Sequence, residues 1–384
     1  MRITKLYKEF FESEKSGGLV LILCIFFSIF ISNQKFGTDY ISLWNMDIAG
    51  HSLIHWINDG LMAIFFMLIG LELKREVIIG ELSNLKNAML PIFAAIGGMI
   101  VPAAIFLMFN YNTPTQSGAG IPMATDIAFS LGVLSLLRKR VPVALKIFLT
   151  ALAVIDDLGA IFVIALFYSK GILWGNLFIA LSAFGILMFL NRLRITNLIP
   201  YLIGGVIIWY FMLNSGVHAT ISGVLLAFTI PCRCTDEKSS FNVLQHFLHK
   251  PVAFFILPLF ALANTAFLVH SDIGQSLTQN YSLGIALGLV LGKPLGIFLA
   301  SYLAITFGLC KLSDDLNWKL ILGAGFLAGI GFTMSIFITM LAFDSKAIIN
   351  NSKLVILIAS LIAGIIGLIM LQLTLSENPK DAEE

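Results

Sequence analysis

Long runs of hydrophobic residues, separated by short polar segments, fill almost the whole chain. They lie near residues 17–33, 53–71, 88–109, 121–137, 142–168, 172–191, 197–213, 215–230, 250–270, 282–307, 319–343 and 351–375. Because a helix needs about 20 apolar residues to cross the hydrocarbon core of a membrane, each run is long enough to span. The pattern predicts an all-α polytopic membrane protein with about twelve transmembrane helices. We expect a single membrane domain over residues 1–384.

Lysine and arginine are concentrated in every second loop, and such loops lie on the cytoplasmic side. The basic loops hold Lys74 with Arg75, residues 138–140, Arg192 with Arg194, Arg233 with Lys238, and Lys311. The N-terminal tail is also basic, and residues 2–15 form either an amphipathic surface helix or a solvated tail. We therefore expect both termini in the cytoplasm.

Composition supports the membrane assignment. The chain is 58% hydrophobic and only 12% charged, whereas soluble domains usually contain about 25% charged residues. The net charge of +2 is small for 384 residues. We expect membrane lipid, and no nucleic acid, as the surroundings of this protein.

Two adjacent carboxylates, Asp156 and Asp157, interrupt the apolar run from Leu149 to Phe162. A carboxylate at the centre of a membrane helix costs about 2.5 to 3.5 kcal/mol on insertion scales, so it indicates function by default. Consecutive helical residues point roughly 100° apart. The two acids must therefore serve different partners.

Two of the apolar runs are rich in glycine, which weakens a helix. Residues 118–132 contain three glycines, Pro122, Thr125 and Asp126, and residues 323–333 contain four glycines. Each is the middle run of a set of three, residues 88–168 and 282–375, and corresponding runs of the two sets are an odd number of runs apart, which inverts the second set. Paired broken helices in inverted repeats indicate an ion site at the membrane midplane.

Broken helices place unpaired backbone groups and opposed dipoles inside the membrane. Asp126 lies beside the first break, where it can face positive helix N-termini. Lys293 either faces negative C-termini or pairs with an acid. Alternatively, these groups form buried ion pairs that only stabilise the fold. A single base, however, cannot pair with all three acids.

The outer loop, residues 34–54, alternates apolar and polar positions and predicts either a small hairpin that pairs with a second protomer or a disordered interfacial loop.

Six strings in the chain are distinctive: P-M-A-T-D-I-A-F, A-L-A-V-I-D-D-L-G-A-I, G-K-P-L-G-I, S-G-V-H-A-T, I-L-P-L-F-A-L-A-N and G-I-G-F-T-M-S-I-F-I. Through them the chain resembles the bacterial NhaA-type sodium/proton antiporters over nearly its whole length. The resemblance implies a multi-pass inner-membrane transporter, not an enzyme, that expels Na⁺ or Li⁺ for protons. It further implies electrogenic, pH-regulated exchange by alternating access, no cofactor, and a homodimer through residues 34–54.

The resemblance also implies a fold and a site. Residues 88–168 and 282–375 form the core with crossed discontinuous helices at spans 4 and 11, residues 17–71 and 215–270 form an interface panel, and residues 172–213 link the two. The implied cation and proton carriers are Asp157 and Asp156, which hold the transported Na⁺, with Thr125 nearby. Asp126 and Lys293 become the compensating charges, and Lys293 the salt-bridge partner of Asp156.

For pH response, the resemblance implies Glu72, Glu76, His218 and His246. The alternative interpretation of His218 is a histidine at a helix end whose hydrogen bonds are satisfied. Gln245 stands where an acid is expected before His246, which puts the pH profile in doubt.

Chemistry favours exchange at such a site, since burial disfavours a charged carboxylate and either a proton or a hard cation neutralises it. The alternatives are an intramembrane aspartyl protease, which needs G-x-G-D and Y-D strings that the chain lacks, and a sodium-coupled symporter for an organic solute. A symporter needs a roomier polar pocket than the few polar residues suggest.

Overall fold

A computed structural model describes residues 14–169, 171–232, 239–268, 273–313 and 315–376. The predicted surface helix at residues 2–15 lies almost wholly outside the described residues. The α-helices are Glu14–Ser32 (α1), Gly37–Trp44 (α2), Leu53–His55 (α3), Met62–Ile78 (α4), Leu85–Asn110 (α5), Ile127–Leu134 (α6), Val143–Phe167 (α7), Trp174–Arg192 (α8), Ile199–Leu213 (α9), Ile221–Thr229 (α10), Ser240–Pro251 (α11), Leu257–Asn264 (α12), Ile273–Leu277 (α13), Asn280–Leu287 (α14), Lys293–Thr306 (α15), Trp318–Ala328 (α16), Phe332–Ala342 (α17) and Lys346–Ser376 (α18).

Shorter helical turns join several of these helices. The 3₁₀ segments are Glu81–Ser83, Gln116–Met123 and Ser135–Arg140, and the π-helical segments are Trp56–Leu61, Val252–Ile256 and Gly288–Gly292. A two-stranded antiparallel sheet, Asp47–Ile48 (β1) with His51–Ser52 (β2), is the only sheet among the described residues.

The fold class predicted from the hydrophobic runs is confirmed. Among the described residues, eight helices are long and apolar enough to cross a membrane, and α16 with α17 forms a ninth, bent span. Helices α1 and α9 are shorter and also apolar. The remaining predicted run, residues 215–230, is helical only in α10. Its predicted start was wrong because the chain turns before Ile221, with Gly216 in the left-handed region at φ +83°.

The hairpin predicted in the outer loop is present. Asp47 pairs with Ser52 and Ile48 with His51 across a two-residue turn. Both turn residues are left-handed, Ala49 at φ +56° and Gly50 at φ +87°, as a type I′ turn requires. The Trp56 indole donates to the Ile48 carbonyl at 2.9 Å and so holds the hairpin to the following helix.

The chain divides into two compact units. Unit 1 consists of the described residues of Met1–Leu19, Asn84–Ala160 and Val269–Glu384, and unit 2 of those of Val20–Ser83 and Ile161–Leu268. Within unit 2, the Lys74 ammonium donates to the carbonyls of Phe228 at 2.7 Å and Ile230 at 2.6 Å. Lys74 thereby satisfies backbone acceptors at the C-terminal end of α10, where the last carbonyls have no partner within the helix.

Within unit 1, α5 and α15 cross at a pair of glycines. A Cβ atom built on Gly97 would overlap the Gly296 carbonyl oxygen, and one built on Gly296 would overlap that of Gly97. Small residues at such crossings let two backbones approach closely. This contact fixes α15 on α5 and so fixes the position of Lys293, the first residue of α15.

We expect Gly296→Val to destabilise the protein by about 1 to 3 kcal/mol or more, because the new side chain must push α5 and α15 apart. The measurement is thermal unfolding of purified protein in detergent. Gly185→Val is the matched control, since Gly185 lies in α8 with open space around its Cβ position. Equal losses for both variants would contradict the close crossing.

Candidate ion-binding site

The first broken span contains three conformations in succession. Residues Gln116–Met123 form a 3₁₀ helix, the chain is extended at Ala124 with ψ 147°, and α6 begins after Asp126. Pro122 near the end of the first segment lacks a backbone N–H, so a regular helix cannot continue through it without losing a hydrogen bond. The span therefore presents a C-terminal end at Met123 and an N-terminal end at Ile127.

The second broken span contains two half-helices, α16 and α17, bent by 49°. The break covers Gly329, Ile330 and Gly331, and a Cβ atom on Gly329 would lie 2.5 Å from the Leu289 carbonyl oxygen. Phe332 has a positive φ of +24°, and its N–H donates to the Ser360 hydroxyl at 3.2 Å. Glycine is needed where the neighbouring backbone comes this close.

The two breaks lie against each other. The Asp126 N–H donates to the Ile330 carbonyl at 2.7 Å. The Ser130 hydroxyl donates to the Leu327 carbonyl, and the Ser335 hydroxyl donates to the Ile121 carbonyl, each at 2.8 Å. Each broken span thus satisfies an acceptor near the helix end of the other.

Asp126 accepts hydrogen bonds from the N-terminal turns of both α6 and α17. Its Oδ1 accepts from the Phe129 N–H at 3.0 Å. Its Oδ2 accepts from the Thr333 N–H at 3.2 Å and the Thr333 hydroxyl at 2.6 Å. Asp126 is 3% exposed, so one buried carboxylate compensates the positive ends of two helices.

Lys293 lies at the C-terminal end of the first half-helix, which is the negative end of the helix dipole. Its ammonium donates to the Met123 carbonyl and lies 2.8 Å from Asp156 Oδ2. Lys293 is fully buried and follows directly after the π-helical turn Gly288–Gly292. The position of Lys293 in the sequence left open whether it faces a helix end or an acid. In the structure it contacts both.

Asp156 joins the ion pair to the second break. Its Oδ2 accepts from the Thr125 hydroxyl at 2.8 Å, and the same hydroxyl lies 3.0 Å from the Ala328 carbonyl, the last of α16. A hydroxyl has one proton, so Thr125 donates to one of these acceptors at a time. Asp156 Oδ1 is buried and accepts no hydrogen bond within the described chain.

Asp157 is 2% exposed and follows Asp156 in α7. Because consecutive helical residues point about 100° apart, its carboxylate leaves the helix in a different direction from that of Asp156. The structure thus brings Asp126, Asp156, Asp157, Thr125 and Lys293 into one buried region of unit 1.

The oxygen atoms of this region suit a hard cation such as Na⁺, which prefers carboxylate, carbonyl and hydroxyl ligands. No group of three or more His, Cys, Asp or Glu side chains able to hold a metal occurs in the part of the chain that the structure describes. The oxygen atoms present in this region are those of the carboxylates, the Thr125 hydroxyl and nearby backbone carbonyls.

The residues named for pH response lie in unit 2. Glu72 contacts His249 at 3.1 Å, and both His246 and His249 are exposed. Gln245 is buried. Sequence reasoning had named His246, and only the orientation of α11 distinguishes it from His249, three residues later.

His218 and Glu76 are the other two residues named for pH response. His218 Nε2 lies 3.2 Å from the Tyr168 carbonyl, and Glu76 is partly exposed in the last turns of α4.

Sequence reasoning missed Lys353 as well as Ser130 and Ser335. Lys353 is 6% exposed in α18, although it stands only three positions into the predicted run 351–375. A charge near the start of a run suggests a membrane interface, so burial was not expected. The string N-S-K-L-V-I-L, in which apolar residues follow the lysine without a break, was the available signal.

Comparison with known proteins gives consistent matches over nearly the whole chain. The sequence profile of the Na⁺/H⁺ antiporter 1 family matches residues 8–371. A protein named Na⁺/H⁺ antiporter NhaA from Flavobacterium psychrophilum is 68% identical over 378 residues, 98% of each chain. Proteins of the same name are 57% identical in Cytophaga hutchinsonii, over 98% of this chain and 97% of the relative, and 57% identical in Dechloromonas aromatica, over 96% of each.

We expect Thr333→Val to destabilise the protein by about 1.5 to 3 kcal/mol, because it removes a hydrogen bond to a buried carboxylate while conserving volume. Thr339→Val is the matched control, since Thr339 is buried in the same helix and donates only to the Ser335 carbonyl of its own helix. Thermal unfolding in detergent measures both. A smaller loss for Thr333→Val than for Thr339→Val would contradict the capping role of Asp126.

Proposed function

The chain belongs to the Na⁺/H⁺ antiporter 1 family, and from that premise we propose that it expels Na⁺ or Li⁺ from the bacterial cell in exchange for protons. It is a multi-pass membrane transporter, not an enzyme, with Na⁺ and protons as the transported ions and no cofactor. The observation that carries this proposal is the buried cluster of Asp156, Asp157 and Lys293 at two helix breaks that contact each other.

Exchange follows from competition for one carboxylate. A buried carboxylate is costly when charged, and either a proton or Na⁺ removes that cost. Asp157 binds Na⁺ in this proposal, with Asp156 and Thr125 beside it. If the site alternates between the two faces of the membrane only when it is occupied, the two ions are exchanged without a further coupling device.

A second proton makes the cycle electrogenic. Asp156 is held by Lys293 at 2.8 Å, and removing one partner of a buried ion pair leaves an uncompensated charge. When Asp156 leaves this pair, it accepts a proton, so that more than one proton moves for each Na⁺. Each net charge moved gains about 2.3 kcal/mol per 100 mV of membrane potential, which drives Na⁺ outward.

The internal arrangement supports inverted repeats at residues 88–168 and 282–375. The two breaks contact each other reciprocally, through Ser130 with Leu327 and Ser335 with Ile121. We assign residues 17–71 and 215–270 to the interface panel, residues 172–213 to linking helices, and both termini to the cytoplasmic side of the inner membrane. This orientation follows from the basic loops.

Regulation by pH is assigned to the ends of α4 and α11. Glu72 and His249 form a contact that depends on histidine protonation, and Glu76, His246 and His218 are further candidates. Gln245 replaces an acid in this group, so the activating pH is expected to differ from that of relatives with an acid there.

A homodimer through residues 34–54 is the proposed assembly. We expect replacement of residues 47–52 by a flexible Gly-Ser segment of equal length to shift the protein from dimer to monomer in native mass spectrometry, because the hairpin presents an unpaired strand edge. Asp157→Asn keeps the hairpin and serves as the dimeric control. A replaced protein that stays dimeric would place the interface elsewhere.

In everted vesicles with a preformed pH gradient, we expect added Na⁺ to dissipate the gradient in the absence of any organic substrate. Asp157→Asn should reduce this response to that of vesicles lacking the protein, because an amide neither releases a proton nor binds Na⁺ as a carboxylate does. Asp39→Asn, at an exposed acid in α2, is the control and should respond normally.

The same vesicle assay also tests the proposed pH regulation and the proposed electrogenic exchange. Glu72→Gln should change the pH of half-maximal response, because it removes the carboxylate that contacts His249 at 3.1 Å. An imposed membrane potential should change the rate if the exchange is electrogenic. No response of the unmodified protein at any pH would overturn the antiporter assignment.

A further inference from the structure

Two histidines of unit 2, His51 and His55, contact each other beside the hairpin of residues 47–52, and the proposed transport cycle does not use them. His51 belongs to β2, and His55 is the last residue of α3. Their rings are stacked, with centroids 4.4 Å apart and planes inclined by 26°. This histidine pair therefore joins the hairpin to the helix that follows it.

His55 is held on one side by a carboxylate. Its Nδ1 lies 3.0 Å from Asp59 Oδ2. Because an ionised carboxylate only accepts hydrogen bonds, Nδ1 carries the proton of a neutral His55. His55 Nε2 is buried and has no hydrogen-bond partner within the described chain. A second proton on this ring would have no acceptor, so the closed arrangement suits the neutral imidazole.

The hairpin depends on contacts with the helix after it. Each strand has two residues, and even a longer isolated hairpin is at best marginally stable in water. Two hydrogen bonds hold it: the Trp56 indole donates to the Ile48 carbonyl, and the Leu53 N–H donates to the Met46 carbonyl, each at 2.9 Å. The His51 ring contacts Trp56 as well, with centroids 6.0 Å apart. Among these contacts, the histidine stack is the one that a proton can change directly.

The charged groups on the elements around the histidine pair are acids. The titratable residues there are Asp47 in β1, Asp59 in the π-helical segment, Asp39 and Tyr40 in α2, which packs on α3, and Tyr201 and Tyr210 in α9, whose Trp209 bonds to the Asp59 carbonyl. Helix α12 also packs on the π-helical segment and contains no titratable residue. The charged residues of α4 begin at Glu72, about 20 Å further along the helix. Acids attract a protonated histidine, so among these groups protonation creates repulsion only between the two rings.

Acid opposes the stack. Histidine is the side chain whose unperturbed form gains a positive charge between pH 8 and 5, and Asp59 attracts the first proton to His55. A second proton, on His51, places two like charges 4.4 Å apart, which disfavours the stack at least about fivefold even at the dielectric constant of water. His51 is exposed, so its ring is free to turn into the solvent and take the hairpin with it.

We propose that His51 and His55 form a pH-sensitive switch that holds the hairpin closed at alkaline pH and releases it in acid. In the proposed orientation of the chain, the switch responds to the solution outside the cell. Its consequence for assembly rests on the proposed homodimer through residues 34–54: release of the hairpin removes the paired edge, so the dimer dissociates in acid. This switch is separate from the regulation assigned to Glu72 and His249.

Hydrogen–deuterium exchange of the full-length protein in detergent tests the switch. Exchange of residues 46–53 is measured at about pH 8 and about pH 5 and divided by the intrinsic rate at each pH. We expect this relative rate to rise at least about fivefold in acid for the unmodified protein. His51→Phe keeps an aromatic ring but carries no charge, so its hairpin should stay equally protected at both pH values. His51→Ala removes the ring and should exchange rapidly at both, whereas Asp39→Asn, at an exposed acid of α2, should behave like the unmodified protein.

Native mass spectrometry of the same proteins tests the consequence for assembly, and neither measurement requires transport. The unmodified protein should be dimeric at the alkaline pH and dissociate at the acidic pH, whereas His51→Phe should be dimeric at both. An unmodified protein that is monomeric at alkaline pH would overturn the proposed interface, while the exchange comparison still tests the switch. Equal protection of the unmodified hairpin at both pH values, or the same loss of protection in His51→Phe, would overturn the switch. His51→Tyr replaces His51→Phe if the latter does not fold.

Discussion

Helix ends inside a membrane are the constraint on which unit 1 depends. Each break exposes backbone donors and acceptors where no water can satisfy them, at a cost of several kcal/mol for each group left unpaired. Asp126 satisfies N-terminal donors of α6 and α17, and Lys293 satisfies the Met123 carbonyl. Because these two charges also attract or repel ions, the groups that stabilise the breaks set the electrostatics of the site.

Lys293 connects the scaffold to the proposed chemistry. Its ammonium bonds to a helix end and to Asp156, so a change in the protonation of Asp156 alters the compensation of that helix end as well. Thr125 has a similar double position between Asp156 and the Ala328 carbonyl. A proton or cation arriving at the acids therefore redistributes hydrogen bonds at both breaks, which is a physical route from ion binding to a conformational change.

Hydrophobic runs predict most of the fold because helix length and apolar composition are dictated by the bilayer. The predicted start of the eighth run was wrong, since turn geometry at Gly216 depends on local backbone conformation that hydropathy does not record. Tertiary packing decides the remaining site details. Whether Lys293 meets an acid or a carbonyl, whether His246 or His249 reaches Glu72, and whether Lys353 is buried all depend on how helices rotate against their neighbours. Side-chain type and spacing leave these alternatives open.

Proton release on Na⁺ binding is the most direct test of competition at the buried acids. Purified protein in detergent is placed in weakly buffered solution near pH 8 with a pH indicator, and NaCl is added at constant ionic strength. We predict that protons are released from the unmodified protein and that none are released from Asp157→Asn. Sodium binding, seen as a rise in the unfolding temperature, without any release of protons would contradict the account.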